Sequence, residues 1–226
     1  MKRSIIKTAD GSTTIHIEDW DEQYHSKHGA IQEAYHVFIH SGLHHFLERN
    51  NTDSATILEI GFGTGLNAFI TSLEAEKKGF SLHYIGVEGY PVSDEEVKQL
   101  NYVEELDATS FQQDFIQMHE VAWEEAHQIS KGFKLIKRQQ FFDEIEDENS
   151  CDLIYFDAFG ARVQPELWTQ AIFSKMFTAL RENGVLVTYA AKGSVRRAMQ
   201  EVGFEVERLP GPPGKREMLR ATKLPS

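Results

Sequence analysis

The stretch Ile57-Leu58-Glu59-Ile60-Gly61-Phe62-Gly63-Thr64-Gly65-Leu66-Asn67 decides how the rest of the chain is read. A short apolar run holds a carboxylate near its end, glycine recurs at every second position, and Leu66, Phe69, Ile70 and Leu73 follow at helical spacing. This order reads as strand, tight turn and helix. Lacking Cβ atoms, the three glycines let the backbone reverse sharply and let a ligand lie against it.

Glycine spacing separates two ligand classes. A dinucleotide turn reads G-x-G-x-x-G and aims a helix N-terminus at a pyrophosphate. Here the order is E-x-G-x-G-x-G, which we read as the S-adenosylmethionine turn of a Rossmann-like methyltransferase, whose ligand has a sulfonium and an amino-acid end but no phosphate. Glu59, Gly61, Gly63, Gly65 and Asn67 are therefore cofactor candidates. A second strand, from Ser81 to Glu88, ends in a carboxylate 27 residues after Gly61. Doubly wound folds place an acidic residue there against ribose hydroxyls, so Glu88 joins the set.

Composition bounds the rest. The 226 residues, 41% hydrophobic and 11% aromatic, suffice for one domain with an elaboration and exclude a wholly disordered chain. No apolar run reaches the ~18 residues that cross a bilayer, and the start has no signal-peptide core, so a cytoplasmic protein without membrane contact is expected. The single cysteine, Cys151, has no internal partner, which fits a reducing compartment. A net charge of −12 argues against indiscriminate coating of nucleic acid. That charge is uneven: residues 1–150 carry 12 Lys+Arg against 27 Asp+Glu, residues 151–226 carry 11 against 8. Any RNA contact is expected in the last third.

Read in order, Ile5 to Ile17 form a hairpin turning at Asp10-Gly11, and His25 and His28 lie in a solvated loop rather than a metal site. Residues 30–49 follow as a helix bent near Ser41-Gly42. Ser93 with Glu96 signs a capping box. Residues 102–130 have a mostly helical pattern, and a third strand covers residues 133–136. Cys151 to Phe156 reads as a buried parallel strand, with Asp157 at its carboxyl end. In open α/β sheets ligands bind outside those ends, which favours catalysis or substrate contact for Asp157 over helix capping. Pro165 then opens a helix that runs through Leu180 and stops at Asn183-Gly184. A fifth strand covers residues 185–190, a helix residues 195–202, and an antiparallel pair closes the chain.

The expected fold is thus α/β: a Rossmann-like, mostly parallel seven-stranded sheet with a C-terminal antiparallel hairpin strand. Residues 1–50 form an extension of hairpin, loop and helix packed on a methyltransferase domain at 51–226. The loop Gly214-Lys215-Arg216-Glu217, with Lys192, Arg196 and Arg197, is either a positive rim beside the cofactor pocket or an ordinary solvated loop.

A specific resemblance adds to this reading. Gly61 to Asn67, Val87-Glu88-Gly89-Tyr90-Pro91, Phe156-Asp157-Ala158-Phe159 with Pro165-Glu166-Leu167-Trp168, Val195-Arg196-Arg197 and Gly214 to Leu219 together resemble the methyltransferase domain of the bifunctional tRNA 5-methylaminomethyl-2-thiouridine biosynthesis protein MnmC. Tyr24, Ser26 and Val37-Phe38 resemble that family's N-terminal segment. The match spans nearly the whole chain and leaves out the family's FAD-dependent oxidoreductase domain, so a stand-alone methylating half is expected. The resemblance implies N-methylation of 5-aminomethyl-(2-thio)uridine at the tRNA wobble position, coupled to a separate oxidoreductase or aminomethyl-forming enzyme. It implies Asp157 as the group that holds the amine and receives its proton. Tyr24, Tyr189 or Phe159 would flank a base flipped from the anticodon loop, Phe159 first among them, and Ser26, Arg196, Arg197, Lys215 and Arg216 would meet RNA. Many such methyltransferases set an Asp after the third strand against the adenine amino group. Here the region reads Lys137-Arg138-Gln139-Gln140-Phe141, and Gln140 is the acceptor expected in its place.

Three other readings compete. A methyltransferase of a small amine or protein side chain fits the acidic charge but not the basic last third. A binding protein that lost turnover is opposed by the intact Glu59, Glu88 and Asp157, and an NAD-dependent dehydrogenase by the glycine spacing.

Overall fold

A computed structural model describes residues 2–225. Its centre is an eight-stranded sheet in the order β10-β11-β9-β8-β4-β5-β7-β6. Four strands at its middle are parallel neighbours of one another or of β7: β4 (Ser54–Ile60), β5 (Ser81–Glu88), β8 (Cys151–Phe156) and β9 (Leu180–Thr188). Parallel β7 (Phe133–Gln139) follows β5, and antiparallel β6 (Ala126–Ser130) closes that edge. At the other edge β11 (Glu217–Thr222) runs antiparallel to β9 and carries β10 (Glu205–Pro210) as its hairpin partner.

Strand residues alternate between two cores, as the pleat requires. Ile57, Tyr84, Leu135, Leu153, Tyr155 and Val187 face one apolar layer. Leu58, Ile60, Val87, Ile154, Phe156 and Leu186 face the other. The first layer is roofed by α3 (Leu66–Lys78), by α6 (Gln112–Glu120) and by a continuous helical run made of α1 (Ala30–Ala34), a π-helical stretch Tyr35–His44 and α2 (His45–Asn50). The second is covered by α7 (Gln170–Ala179) and α8 (Gly193–Glu201). Both faces of the parallel strands are therefore buried, which is why they read as near-continuous apolar runs. The N-terminal residues form a separate three-stranded sheet of β1 (Arg3–Lys7), β2 (Thr13–Ile17) and the short β3 (Glu22–Gln23). Ser93 and Glu96 make the expected capping box at α4 (Asp94–Val97), and α5 (Tyr102–Glu105) follows it.

Four local expectations change. The sheet has eight strands rather than seven, because Ala126–Ser130, expected within a helical region, pairs with β7 across a bulge at Gln128/Ser130. The first long helix accommodates Ser41-Gly42 by widening to a π-helix, with Ser41 Oγ donating to the His36 carbonyl five residues back at 2.8 Å. At Gly42 a Cβ would lie 2.9 Å from Val187 Cγ2, so the missing side chain lets the helix sit down on β9. Pro165 opens only a 3-10 turn, Pro165–Trp168, and α7 ends at Ala179; Leu180 already pairs with Cys151 as strand. Apolar periodicity cannot separate a buried helix end from the start of a buried strand.

Candidate active site

Sheet order reverses at β4, whose neighbours are β5 on one side and β8 on the other. A crevice must open where the connections leave in opposite directions, outside the carboxyl ends of those strands. Gly61 leaves β4 there and Asp157 leaves β8. They are packed together: Asp157 N donates to the Ile60 carbonyl at 3.0 Å, and a Cβ on Gly61 would lie 2.9 Å from the Asp157 carbonyl oxygen. Gly61 also has φ +95, and Gly63 has φ +51 with Tyr24 Cδ1 standing 3.0 Å from its would-be Cβ. Glycine is needed at both positions for backbone conformation and for space.

A cavity of about 480 Å³ occupies the crevice. Gly61 and Asp157 line it at the strand ends, together with Glu88, Gly89, Tyr90, Phe141, Phe142 and Asp143 and with an aromatic cluster of Trp20, Tyr24 and Phe159. Backbone amides grip the Glu88 carboxylate, Gly63 N donating to Oε2 at 2.9 Å and Tyr90 N to Oε1 at 2.8 Å. Both oxygens are thereby fixed at the cavity wall with lone pairs to spare, an arrangement suited to two neighbouring hydroxyls. Burial raises the pKa of Glu88 even though these amides favour its ionised form.

Asn67, on the first turn of α3, couples two carboxyl groups. Its Nδ2 donates to Glu59 Oε1 at 2.9 Å and to Asp157 Oδ2 at 2.8 Å, so both amide hydrogens are used. Glu59 is fully buried within β4, does not line the cavity, and is joined to Asp157 through Asn67, with the Tyr84 hydroxyl as a further neighbour. Burial drives both carboxyls well above the usual carboxylate range, and Glu33 pushes Asp157 further in that direction. Asp157 itself is half-buried and opens onto the cavity. A half-desolvated carboxyl of raised pKa facing a ligand space is a natural proton acceptor.

The other expected residues are distributed as follows. Phe159 stands at the rim with its ring edge-on to Tyr24 at 4.9 Å and to Trp20 at 5.6 Å. Tyr189 donates its hydroxyl to the Ala158 carbonyl at 2.8 Å. His25 lines the cavity instead of lying in solvent, half-buried and bonded to Thr14 Oγ1 at 3.0 Å; burial takes its pKa down to about 4. Ser26 accepts from His28 N at 3.2 Å and is not part of the cavity lining. Gln140 donates to the Glu144 carbonyl at 2.8 Å and belongs to a different surface hollow, while Asp143 stands in the cavity wall. Of the basic residues, Arg216 is exposed, Arg196 and Arg197 lie on α8 with no acidic partner among the described residues, and Lys215 is turned onto Glu33.

Three site residues escaped the sequence reading. Trp20 and Asp143 sit in three-residue 3-10 turns, Glu18–Trp20 and Phe142–Glu144, too short to carry a periodic signal. Glu33 did carry one: it lies between Ala30 and Val37 on the apolar face of its helix, where a charge has no reason to be unless it has a partner.

The cavity fits a cationic nucleoside ligand. Glu88, Asp143, Asp157 and Glu166 line it against one cation, Arg3, whose guanidinium is already bonded to Glu96 at 3.2 Å. A pyrophosphate would meet repulsion there, whereas a sulfonium and an ammonium would not. The lining offers paired acceptors at Glu88, aromatic side chains at Phe141 and Phe142 and a further acceptor at Asp143.

Fold and site together define a Rossmann-type nucleoside-binding enzyme of the methyltransferase kind. Residues 105–224 match the model of a family described as S-adenosyl-L-methionine-dependent methyltransferase, and the chain belongs to that family. It is 29% identical over 92% of its length to the tRNA 5-methylaminomethyl-2-thiouridine biosynthesis bifunctional protein MnmC of Aeromonas hydrophila, covering 34% of that protein. To the protein of the same name from Idiomarina loihiensis it is 28% identical over 88% of its length, covering 35%. The chain thus spans about a third of the length of the curated relatives it matches. Among solved structures, MNMC2 from Aquifex aeolicus superposes with a TM-score of 0.76 at 25% identity, over 99% of this chain and 72% of that one. Spermidine synthase from Thermotoga maritima shares the fold at a TM-score of 0.58 and 14% identity.

Proposed function

We propose that this chain methylates the primary amine of 5-aminomethyl-(2-thio)uridine at the wobble position of tRNA, giving the 5-methylaminomethyl form. The observation that carries the reading is the acidic cavity ending at Asp157, together with the product named for the similar MnmC proteins: a methylated aminomethyl group. Asp157 is the catalytic residue in this reading. S-adenosylmethionine, when bound, would supply an activated methyl group whose sulfur takes the C–S electron pair as the substrate nitrogen's lone pair forms the N–C bond. Asp157 would receive the proton released by that nitrogen.

An alkylamine is mostly a cation at neutral pH and a cation is no nucleophile, so the proton must be dealt with before or during attack. Carboxyl groups around Asp157 attract the amine; the rest of the work is positioning, because the methyl group is already activated. Gly61, Gly63, Gly65, Glu88 and, through Asn67, Glu59 shape the cofactor side. Trp20, Tyr24 and Phe159 form the aromatic wall against which an unstacked base would rest. Gln140 is better replaced by Asp143 as the adenine acceptor. An enzyme that forms the aminomethyl group must act earlier on the same nucleotide.

Labelled methyl groups are expected to enter tRNA carrying 5-aminomethyluridine and not unmodified or 5-carboxymethylaminomethyl-bearing tRNA. Labelling of free small amines with no tRNA labelled would overturn the assignment. Reversing Arg196 and Arg197 to Glu should raise KM for tRNA roughly tenfold or more at moderate salt and flatten its salt dependence, since each lost phosphate contact removes about one unit of the log–log salt slope. An unchanged slope would move the RNA-binding face elsewhere.

A further inference from the structure

Lys215 lies in a tight turn, and its side chain, 31% exposed, folds back across the turn onto the body of the protein. Gly211 N donates to the Arg216 carbonyl at 3.1 Å and Lys215 N to the Pro212 carbonyl at 2.9 Å, closing the turn. Arg216 is left outside and Lys215 inside. The Lys215 ammonium bonds the Glu33 carboxylate, whose side chain is only 8% exposed, and sits 4.0 Å from the centre of the Tyr189 ring. The Tyr189 hydroxyl is in turn anchored to the carbonyl of Ala158, next to Asp157. Carboxylate and aromatic face form a cation cage, and the cage is already filled by the protein's own ammonium.

Resting on the amine reading above, we propose that Lys215 is a positioning charge: caged by Glu33 and Tyr189 behind Asp157, it opposes a second ammonium at the reacting position, so that the substrate amine enters as, or is converted to, the free base. A lone cluster of carboxylates would do the opposite and hold the amine as a tightly bound, unreactive cation. The titratable and charged groups around this position are Asp157 after β8, Glu33 in α1, Tyr189 after β9, His25 and Lys215 from the two loops, Glu88 and Arg3 elsewhere on the cavity lining, and Glu59 and Tyr84 buried in the sheet beneath. Arg3 is paired with Glu96 and His25 is neutral, which leaves Lys215 as the cation beside Glu33 and Tyr189. Lys215 correspondingly favours ionised Asp157, the form that can take a proton, against the opposing effect of Glu33.

Two variants move the system in opposite directions. In Lys215→Met the acid limb of the pH profile of kcat/KM should shift to higher pH by about one unit, a roughly tenfold loss at neutral pH that narrows at alkaline pH. In Glu33→Gln, which keeps the ammonium, the limb should shift to lower pH; Lys215→Arg should keep the wild-type profile. The nitrogen chemical shift of an isotopically labelled aminomethyl group, bound with S-adenosylhomocysteine, reads the amine's protonation directly and should titrate at higher pH in Lys215→Met than in wild type. Should Lys215→Met fail to fold, Glu33→Gln still decides the sign. An equal loss at every pH, or a salt-dependent rise in KM for tRNA with the profile unmoved, would overturn the proposal and return Lys215 to a structural or phosphate-binding role. Turnover by wild type with no shift in either variant overturns this inference alone; absence of any wild-type turnover on aminomethyl tRNA overturns the amine reading and this inference with it.

Discussion

Asp157→Asn is expected to lower kcat for methyl transfer by roughly 10²–10⁴ while leaving the fold intact, the range of a lost general base. The substituted amide has the same shape and still offers an oxygen to Asn67 Nδ2, which now donates to Asp157 Oδ2 at 2.8 Å. Stability should not fall. Asp157 has its pKa raised in the folded state, by burial first and by Glu33 second. A carboxyl of raised folded-state pKa favours folding least when ionised. Its unfavourable contribution therefore grows as pH climbs from the unfolded value through the folded one, and is complete only above the folded one. Removing the charge lifts that contribution, so the thermal midpoint of Asp157→Asn at neutral pH should equal or exceed that of wild type, and the difference should vanish in acid. Single-turnover kinetics with melting curves across pH check both parts. Undiminished turnover would take the catalytic role from Asp157, and a lowered midpoint would contradict the electrostatic account.

Gly61→Val is expected to abolish measurable S-adenosylmethionine binding and to destabilise the protein by roughly 2–5 kcal/mol, combining a disfavoured positive φ with overpacking. The backbone there has φ +95, and the added Cβ would come within 2.9 Å of the Asp157 carbonyl oxygen. Backbone cannot swing aside as a flexible side chain can. Gly61 N and Phe62 N both donate to the Val87 carbonyl at 3.0 Å, which pins the turn from below. Relief must come from pushing β4 and β8 apart at their ends, where the cofactor has to lie. Calorimetric titration with S-adenosylhomocysteine and urea unfolding measure the two effects separately. Gly79→Ala is the control: it shares a positive φ, +74, but nothing lies within 4 Å of its Cβ, so it should show the backbone cost with cofactor binding retained.

Much of this architecture is local in origin. Strand β4 and its glycines, β5 ending at Glu88 and β8 leading to Asp157 each declare themselves within about ten residues, because apolar run, turn chemistry and terminal carboxylate are neighbours in the chain. Their shared position follows almost as directly, since parallel strands joined by helices bring their carboxyl ends to one side.

What the amino-acid sequence by itself determined is therefore the set of strand ends that bear the chemistry and the kind of sheet that gathers them. Tertiary structure alone decided what stands opposite. Trp20 reaches the cavity because Arg162 donates to the Trp20 and Asp21 carbonyls, at 3.2 and 3.0 Å, and to Glu22 across 140 residues of chain. Asp143 rather than Gln140 lines the cavity because the chain turns after β7 through Phe142–Glu144. Lys215, outward on any local reading of a charged loop, is drawn in by Glu33, a residue 182 positions away. The physical reason is common to all three: periodicity and turn propensity act over a few residues, while the contacts that line a cavity are settled only when distant segments meet.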